Sequence, residues 1–236
     1  MLASVLCAVL SAGCSGGRSD ASPAPDGAVM ARDTTSASHD SAGPTAGTRT
    51  APPDRVLFLG TSLTAGLGLE PDSAYPQQIQ RRIRAAGLPY EVVNAGVSGE
   101  TSAGLLRRLD WVLKQPARVI VVETGANDGL RGQSVSGTKA TIGQVLDRIR
   151  RDRPGAKTAL VQMEAPSNLG ADYTKSFHAM FPSLAAERGV TLLPFLLDGV
   201  AGQPELNQAD GIHPNYAGER IVTETVWKAL QPLLAP

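Results

Sequence analysis

The chain has 236 residues, 42% of them hydrophobic, which suits one catalytic-size domain with appendages better than two full domains. Its 22 basic and 22 acidic residues cancel, and no Lys/Arg-rich block occurs, which argues against a nucleic-acid partner. Both cysteines, Cys7 and Cys14, fall in the first 14 residues, and His39, His178 and His213 lie far apart. No intradomain disulfide and no His-Glu-x-x-His metal site can then be built.

Residues 2–12 form a short apolar run, the length of a signal-peptide core and too short to span a bilayer. The run ends in the small residues Ser11 and Ala12, followed by Gly13 and Cys14, a pattern that resembles a bacterial lipobox. It implies removal of residues 1–13, lipidation of Cys14 and export to the periplasm or a membrane-anchored position, with plain secretion as the alternative. Residues 14–53 are rich in Ser, Ala, Thr, Gly, Pro and Asp and hold no aromatic residue. Such a segment buries too little apolar surface to offset its ordering entropy, and it reads as a disordered tether to a folded domain over 54–236.

Within that domain, residues 55–60 are an apolar run ended by Gly60, a buried strand. Residues 74–86 have helical spacing and stop at Gly87. Residues 90–94 are a second strand, 101–114 a helix before Pro116, and 118–122 a third strand of β-branched residues. Residues 138–152 form an amphipathic helix before Pro154, 158–162 a fourth strand, 173–188 a helix stopped by Gly189, 190–194 a fifth strand and 216–230 a last helix. Alternating strands and helices predict a parallel sheet covered on both faces, with ligands bound beyond the carboxyl ends of its strands.

The segments after the first three strands carry the candidate chemistry. Gly60-Thr61-Ser62-Leu63-Thr64-Ala65-Gly66 places Ser62 where strand gives way to loop or helix, its N–H available to an anion. It is neither a Gly-x-Gly-x-x-Gly nor a Gly-Lys-Ser/Thr loop, and Thr64 breaks the Gly-x-Ser-x-Gly elbow. The loop over 94–102 contains Gly99, free to bring its N–H close to a substrate oxygen. The loop over 123–129 contains Asn127, whose side-chain amide can donate to the same oxygen. Finally, Asp210-Gly211-Ile212-His213 puts a carboxylate three residues before a histidine; Asp210 can hold the ring Nδ1–H, leaving Nε2 to take the serine proton. Each segment alone is an ordinary turn. Together they supply a nucleophile, an oriented base and oxyanion donors.

These blocks resemble those of the SGNH/GDSL hydrolase family, in particular its bacterial thioesterase I/lysophospholipase and arylesterase branch, over roughly residues 55–233. Gly60-Thr61-Ser62-Leu63 matches the Gly-Asp-Ser-Leu block, Gly99 and Asn127 match the second and third blocks, and Asp210 with His213 matches the last. The resemblance implies a flavodoxin-like three-layer α/β/α sandwich with five parallel strands. It implies hydrolysis of small-molecule esters, thioesters or lysophospholipids through an acyl-enzyme, without metal or organic cofactor. It assigns the oxyanion to the Ser62 and Gly99 N–H groups and the Asn127 amide. Thr61 departs from the family aspartate, and Ala126 replaces the glycine usual before the asparagine; a slower or less stable enzyme with altered acyl preference is expected. Leu67, Leu130, Leu169 and Ile212 are candidates for an acyl groove. Trp111 and Trp227 read as helix packing, His178 as structural and Glu123 as a local hydrogen-bond partner. A non-catalytic acyl-binding module on this fold is the second reading. A carbohydrate O-deacetylase is the third, for which an aromatic content of 4% offers few stacking platforms.

Overall fold

The computed structural model describes residues 54–235; the expected signal segment, Cys14 and the tether lie outside the described residues. The five apolar runs form five strands: β1 (Asp54–Gly60), β2 (Tyr90–Gly96), β3 (Val119–Val122), β4 (Lys157–Gln162) and β5 (Thr191–Phe195). All neighbours pair in parallel, in the order β2-β1-β3-β4-β5. β3 sits in the middle of the sheet, and all four of its β-branched side chains are buried, as a strand covered on both faces requires.

The helices are α1 (Ser62–Ala65), α2 (Tyr75–Ala85), α3 (Ser102–Val112), α4 (Ala126–Leu130), α5 (Val135–Asp152), α6 (Ala171–Arg188) and α7 (Tyr216–Leu230). α2 packs with α7, and α5 packs with both α3 and α6, which gives the expected three-layer α/β/α sandwich. The core is continuous through both layers, with Phe58 against Tyr75 and Phe177 against Phe181 in edge-on contact. α6 tolerates Pro182 inside it because the carbonyl that proline cannot pair, that of His178, accepts instead from Gln162 Nε2 at 3.3 Å.

Two local expectations change. Residues 126–130, read as loop, close one helical turn, too short to show a period; Gly125, at φ +97°, turns the chain into it. Residues 62–65, which the sequence left open between loop and helix, form a single helical turn. Trp111, expected to pack, is 66% exposed on α3, whereas Trp227 does pack against the core.

In this strand order the connection reverses direction between β1 and β3, opening a crevice beyond their carboxyl ends. α1 follows β1 there and α4 follows β3, so the sheet itself brings Ser62 and Asn127 to one place.

Candidate active site

Ser62 is the first residue of α1, where its N–H has no carbonyl four residues back to bond. Thr61 caps that turn: its Oγ1 accepts from Leu63 N–H at 3.4 Å. The same hydroxyl donates to both oxygens of Glu123 at 3.0 Å, and Thr61 N–H donates to Oε2 at 2.7 Å. Thr64 Oγ1 adds a further donation at 2.9 Å, which leaves it to accept from Tyr75 O–H at 2.8 Å. Glu123 is fully buried at the end of β3. Burial pushes its carboxyl up, while the hydrogen bonds from Thr61 and Thr64 pull the other way. The nucleophile turn is thus nailed to the sheet from below. Gly60 is obligatory for this: a Cβ there would lie 2.0 Å from Thr64 Oγ1 and 2.7 Å from Glu123 Oε2. At the position of the family aspartate, Thr61 still caps the helix and also donates to the buried carboxylate.

Across the crevice, Asp210 Oδ1 accepts the N–H groups of Ile212 at 2.9 Å and His213 at 3.0 Å, while Oδ2 accepts His213 Nδ1–H at 2.6 Å. The tight turn needs Gly211 at φ +70°. The backbone donors, with the ring, hold the Asp210 carboxyl down at about 2. Because the carboxylate only accepts, Nδ1 carries the proton and Nε2 is left to accept Ser62 Oγ–H at 2.8 Å. Gln208, 141 residues along the chain from Leu67, joins the two halves: its Nε2 donates to Leu67 O at 2.7 Å and to Pro214 O at 2.9 Å.

The two remaining expected residues converge on the same serine. Gly99 lies at φ +76°, a conformation that favours glycine, and its N–H has no acceptor among the described residues. Asn127 Nδ2 donates one hydrogen to Glu100 O at 3.0 Å, which fixes the amide and leaves its second hydrogen free. Asp128 ties the two loops together by accepting from Ser102 N–H at 2.8 Å and Ser102 Oγ–H at 2.6 Å. Ser62, Gly99, Asn127 and His213 share one pocket wall.

That pocket has a volume of about 630 Å³. Leu130, Ile212 and Leu67 line its mouth and are nearly half exposed; Leu63, Met163 and Leu197 form buried wall. Ala126, in place of the family glycine, puts a methyl on the same wall. Leu169, expected in the groove, is not part of it; its side chain lies beside Gly132 instead. His178 is exposed on α6 and pairs with Glu164 at 2.6 Å. Nothing in the sequence marks Met163, Phe195, Leu197 and Ala201 as cavity wall, since an apolar residue, buried or not, carries no sign of which cavity it faces. Among the described residues no cluster of three or more metal-ligating side chains occurs.

The GDSL-like lipase/acylhydrolase family matches over residues 58–221. The esterase TesA of Pseudomonas aeruginosa is 38% identical over 189 residues, 79% of this chain and 92% of that protein. The thioesterase 1/protease 1/lysophospholipase L1 of Escherichia coli strain K12 is 38% identical over 187 residues, 79% of this chain and 88% of that protein. A crystal structure of TesA superposes with a TM-score of 0.73 at 37% identity, covering 76% of this chain and 99% of that one.

Proposed function

The chain belongs to the GDSL-like lipase/acylhydrolase family and is a serine-dependent hydrolase of carboxylic esters or thioesters, and we propose that Ser62, His213 and Asp210 perform its chemistry. Ser62 Oγ attacks the acyl carbonyl while His213 Nε2 takes its proton. The Ser62 and Gly99 N–H groups and the Asn127 amide receive the negative charge that forms on the carbonyl oxygen. His213 then returns the proton to the leaving alcohol or thiol. Water, activated by the same ring nitrogen, attacks the acyl-enzyme and releases the acid. Asp210 keeps the tautomer and stabilises the imidazolium. The observation that carries this reading is the unbroken line from Asp210 Oδ2 through His213 to Ser62 Oγ, with contacts of 2.6 and 2.8 Å. A non-catalytic binder would have no use for that alignment, and the apolar pocket walls suit an acyl chain better than a sugar.

Arylesters, acyl thioesters and lysophospholipids are all substrates that such a pocket accommodates. Export and anchoring through a lipid on Cys14, with residues 14–53 as tether, rest on the short apolar run and the Ser11-Ala12-Gly13-Cys14 pattern. A p-nitrophenyl ester series from acetate to palmitate, run on wild type and Ser62→Ala, tests the mechanism. Hydrolysis absent from the variant is expected; equal hydrolysis by both would refute it.

A further inference from the structure

All five strands run parallel, so their amino ends share one pole of the domain and their carboxyl ends, with Ser62, the other. The chain enters at the amino pole, through Asp54 at the start of β1. Two adjoining clefts open there, of about 800 and 290 Å³. Arg55, Lys114, Arg118 and Arg153 line the larger; Arg150, Lys157 and Arg188 join Arg153 in the smaller. The carboxylates in these walls are Asp54 and Asp152. Neighbouring acids absorb part of the charge: Glu91 pairs with Arg55 at 3.5 Å, Asp54 with Arg118 at 3.9 Å, and Asp147 with Arg150 and Arg188 at 2.9 and 3.1 Å. Lys114, Arg153 and Lys157 form no ion pair among the described residues. Lys157 donates to the carbonyls of Leu233 and Ala235, each at 3.0 Å. Arg153 Nη1–H donates to Asp152 O at 2.9 Å, and its buried Nε has no acceptor among the described residues. The active-site pole has the opposite sign. Its loops over 61–74, 163–170 and 196–215 carry Glu70, Asp72, Glu164, Asp198, Glu205 and Asp210 and not one Lys or Arg. The two remaining loops there, over 97–101 and 123–134, set Arg131 against Glu100, Glu123 and Asp128.

We propose that the basic pole is a docking face for anionic phospholipid headgroups, and that it holds the domain on a membrane with the active site turned away from the lipid. The inference rests on the anchoring reading, which brings a membrane to the chain and joins residues 14–53 to this same pole. A flexible coil of that length spans about 35 Å, and the strands separate the two poles by about 20 Å. The tether alone therefore lets the domain lie either way up, and charge decides between the two. At 0.1 M ionic strength the field of an anionic surface decays over about 10 Å, so the pole nearest the membrane feels most of it. With the amino pole down, Lys114, Arg153 and Lys157 meet the anions they lack in the fold. With the active-site pole down, the carboxylates around Ser62 are pressed against like charge. Arginine and lysine heads in a concave wall suit a headgroup phosphate, which accepts several charged hydrogen bonds at once.

The test measures partition of the purified full chain, carrying Cys14→Ser so that no lipid attaches, onto two kinds of vesicle. One is phosphatidylcholine alone; the other is an equal mixture of phosphatidylcholine and phosphatidylglycerol. The apolar run over 2–12 contributes alike to both, so the ratio of the two affinities is read. The chain is expected to prefer the anionic vesicles at low salt and to lose that preference at high salt. Lys114→Gln and Lys157→Gln should each lower the ratio about fivefold, whereas Lys175→Gln, the same charge change on the second turn of α6 beside the active-site pole, should leave it unmoved. Hydrolysis of p-nitrophenyl acetate by the vesicle-bound chain should match that in solution, since the site faces the water; it also shows that each variant is folded. A ratio near one, an equal fall with Lys175→Gln, or hydrolysis blocked on binding overturns the proposal. So does self-association of the chain that Lys114→Gln and Lys157→Gln abolish, which would assign the basic pole to the acidic pole of a second copy. The anchoring reading is judged apart, by whether Cys14→Ser moves the chain from the membrane to the soluble fraction of cells. No hydrolysis by the free chain would strike the Ser62 reading and leave the vesicle ratio to judge the docking face.

Discussion

Replacing Glu219 with glutamine should flatten the pH dependence of stability on its alkaline side. Glu219 lies in the first turn of α7, 2% exposed, where its carboxylate accepts the N–H of Tyr75 at the start of α2 and where Oε2 has no partner. Desolvation pushes its carboxyl up to about 8 from an ordinary 4.5, only partly opposed by the Tyr75 hydrogen bond. The folded protein therefore holds this proton more tightly than the unfolded chain. Stability from it is fully present below about pH 4.5 and is lost as pH rises to about 8, at about 1.4 kcal/mol per pH unit, or about 5 kcal/mol in all. Glutamine keeps the acceptor for Tyr75 N–H and presents a buried donor much like the protonated carboxyl, so at pH 5 the two proteins should agree within about 1 kcal/mol. Urea unfolding from pH 5 to 9 provides the measurement. The wild type should lose stability across that range, and Glu219→Gln should lose about 4 kcal/mol less, the part of the total that falls above pH 5, the rest of its slope reflecting the other groups, Glu123 among them. Parallel curves for the two proteins would refute the reasoning, because they would mean that Glu219 ionises in the fold as it does in water.

Three further outcomes follow from the site. Asn127→Ala removes the one side-chain donor to the oxyanion while Ser62 and Gly99 remain, so kcat should fall about 10²–10³-fold with little change in KM; a fall confined to KM would place the amide on the ground-state substrate instead. Ala201→Trp should shorten the accepted acyl chain: excluding two methylenes from the pocket wall costs about 1.6 kcal/mol, so long-chain p-nitrophenyl esters should lose about tenfold in kcat/KM while the acetate is unchanged, and an equal loss for all chain lengths would refute it. Asp210 keeps its charge down to about pH 2, so the stability it adds is present above its ordinary 3.8 and disappears only as pH falls through about 2. Unfolding curves of wild type and Asp210→Asn should accordingly differ near pH 6 and converge at pH 2; divergence that persists at pH 2 would rule that carboxylate out as the source.

Much of this molecule is legible in one dimension. The five strands and the long helices follow from runs of β-branched and apolar residues and from glycine and proline stops, signals that local sterics impose on any chain. Asp210 and His213 are readable because their partnership spans three residues and one turn, and Ser62, Gly99 and Asn127 because a parallel sheet delivers the residues after its strands to one edge. The support beneath them is not readable in the same way. Glu123 holds Thr61 across 62 residues, Gln208 reaches Leu67 across 141, and Tyr75 meets Glu219 only where α2 packs on α7. The cavity walls belong to the same class: Met163 and Leu197 look like any core residue until the fold leaves space beside them, Leu169 turns away from that space, and Trp111 faces solvent. Local chemistry is written in neighbouring residues, so the sequence by itself names the reacting groups. Which buried carboxylate anchors them, and what shape of substrate they meet, depends on contacts between distant segments that exist only once the sheet and its two helical layers have packed.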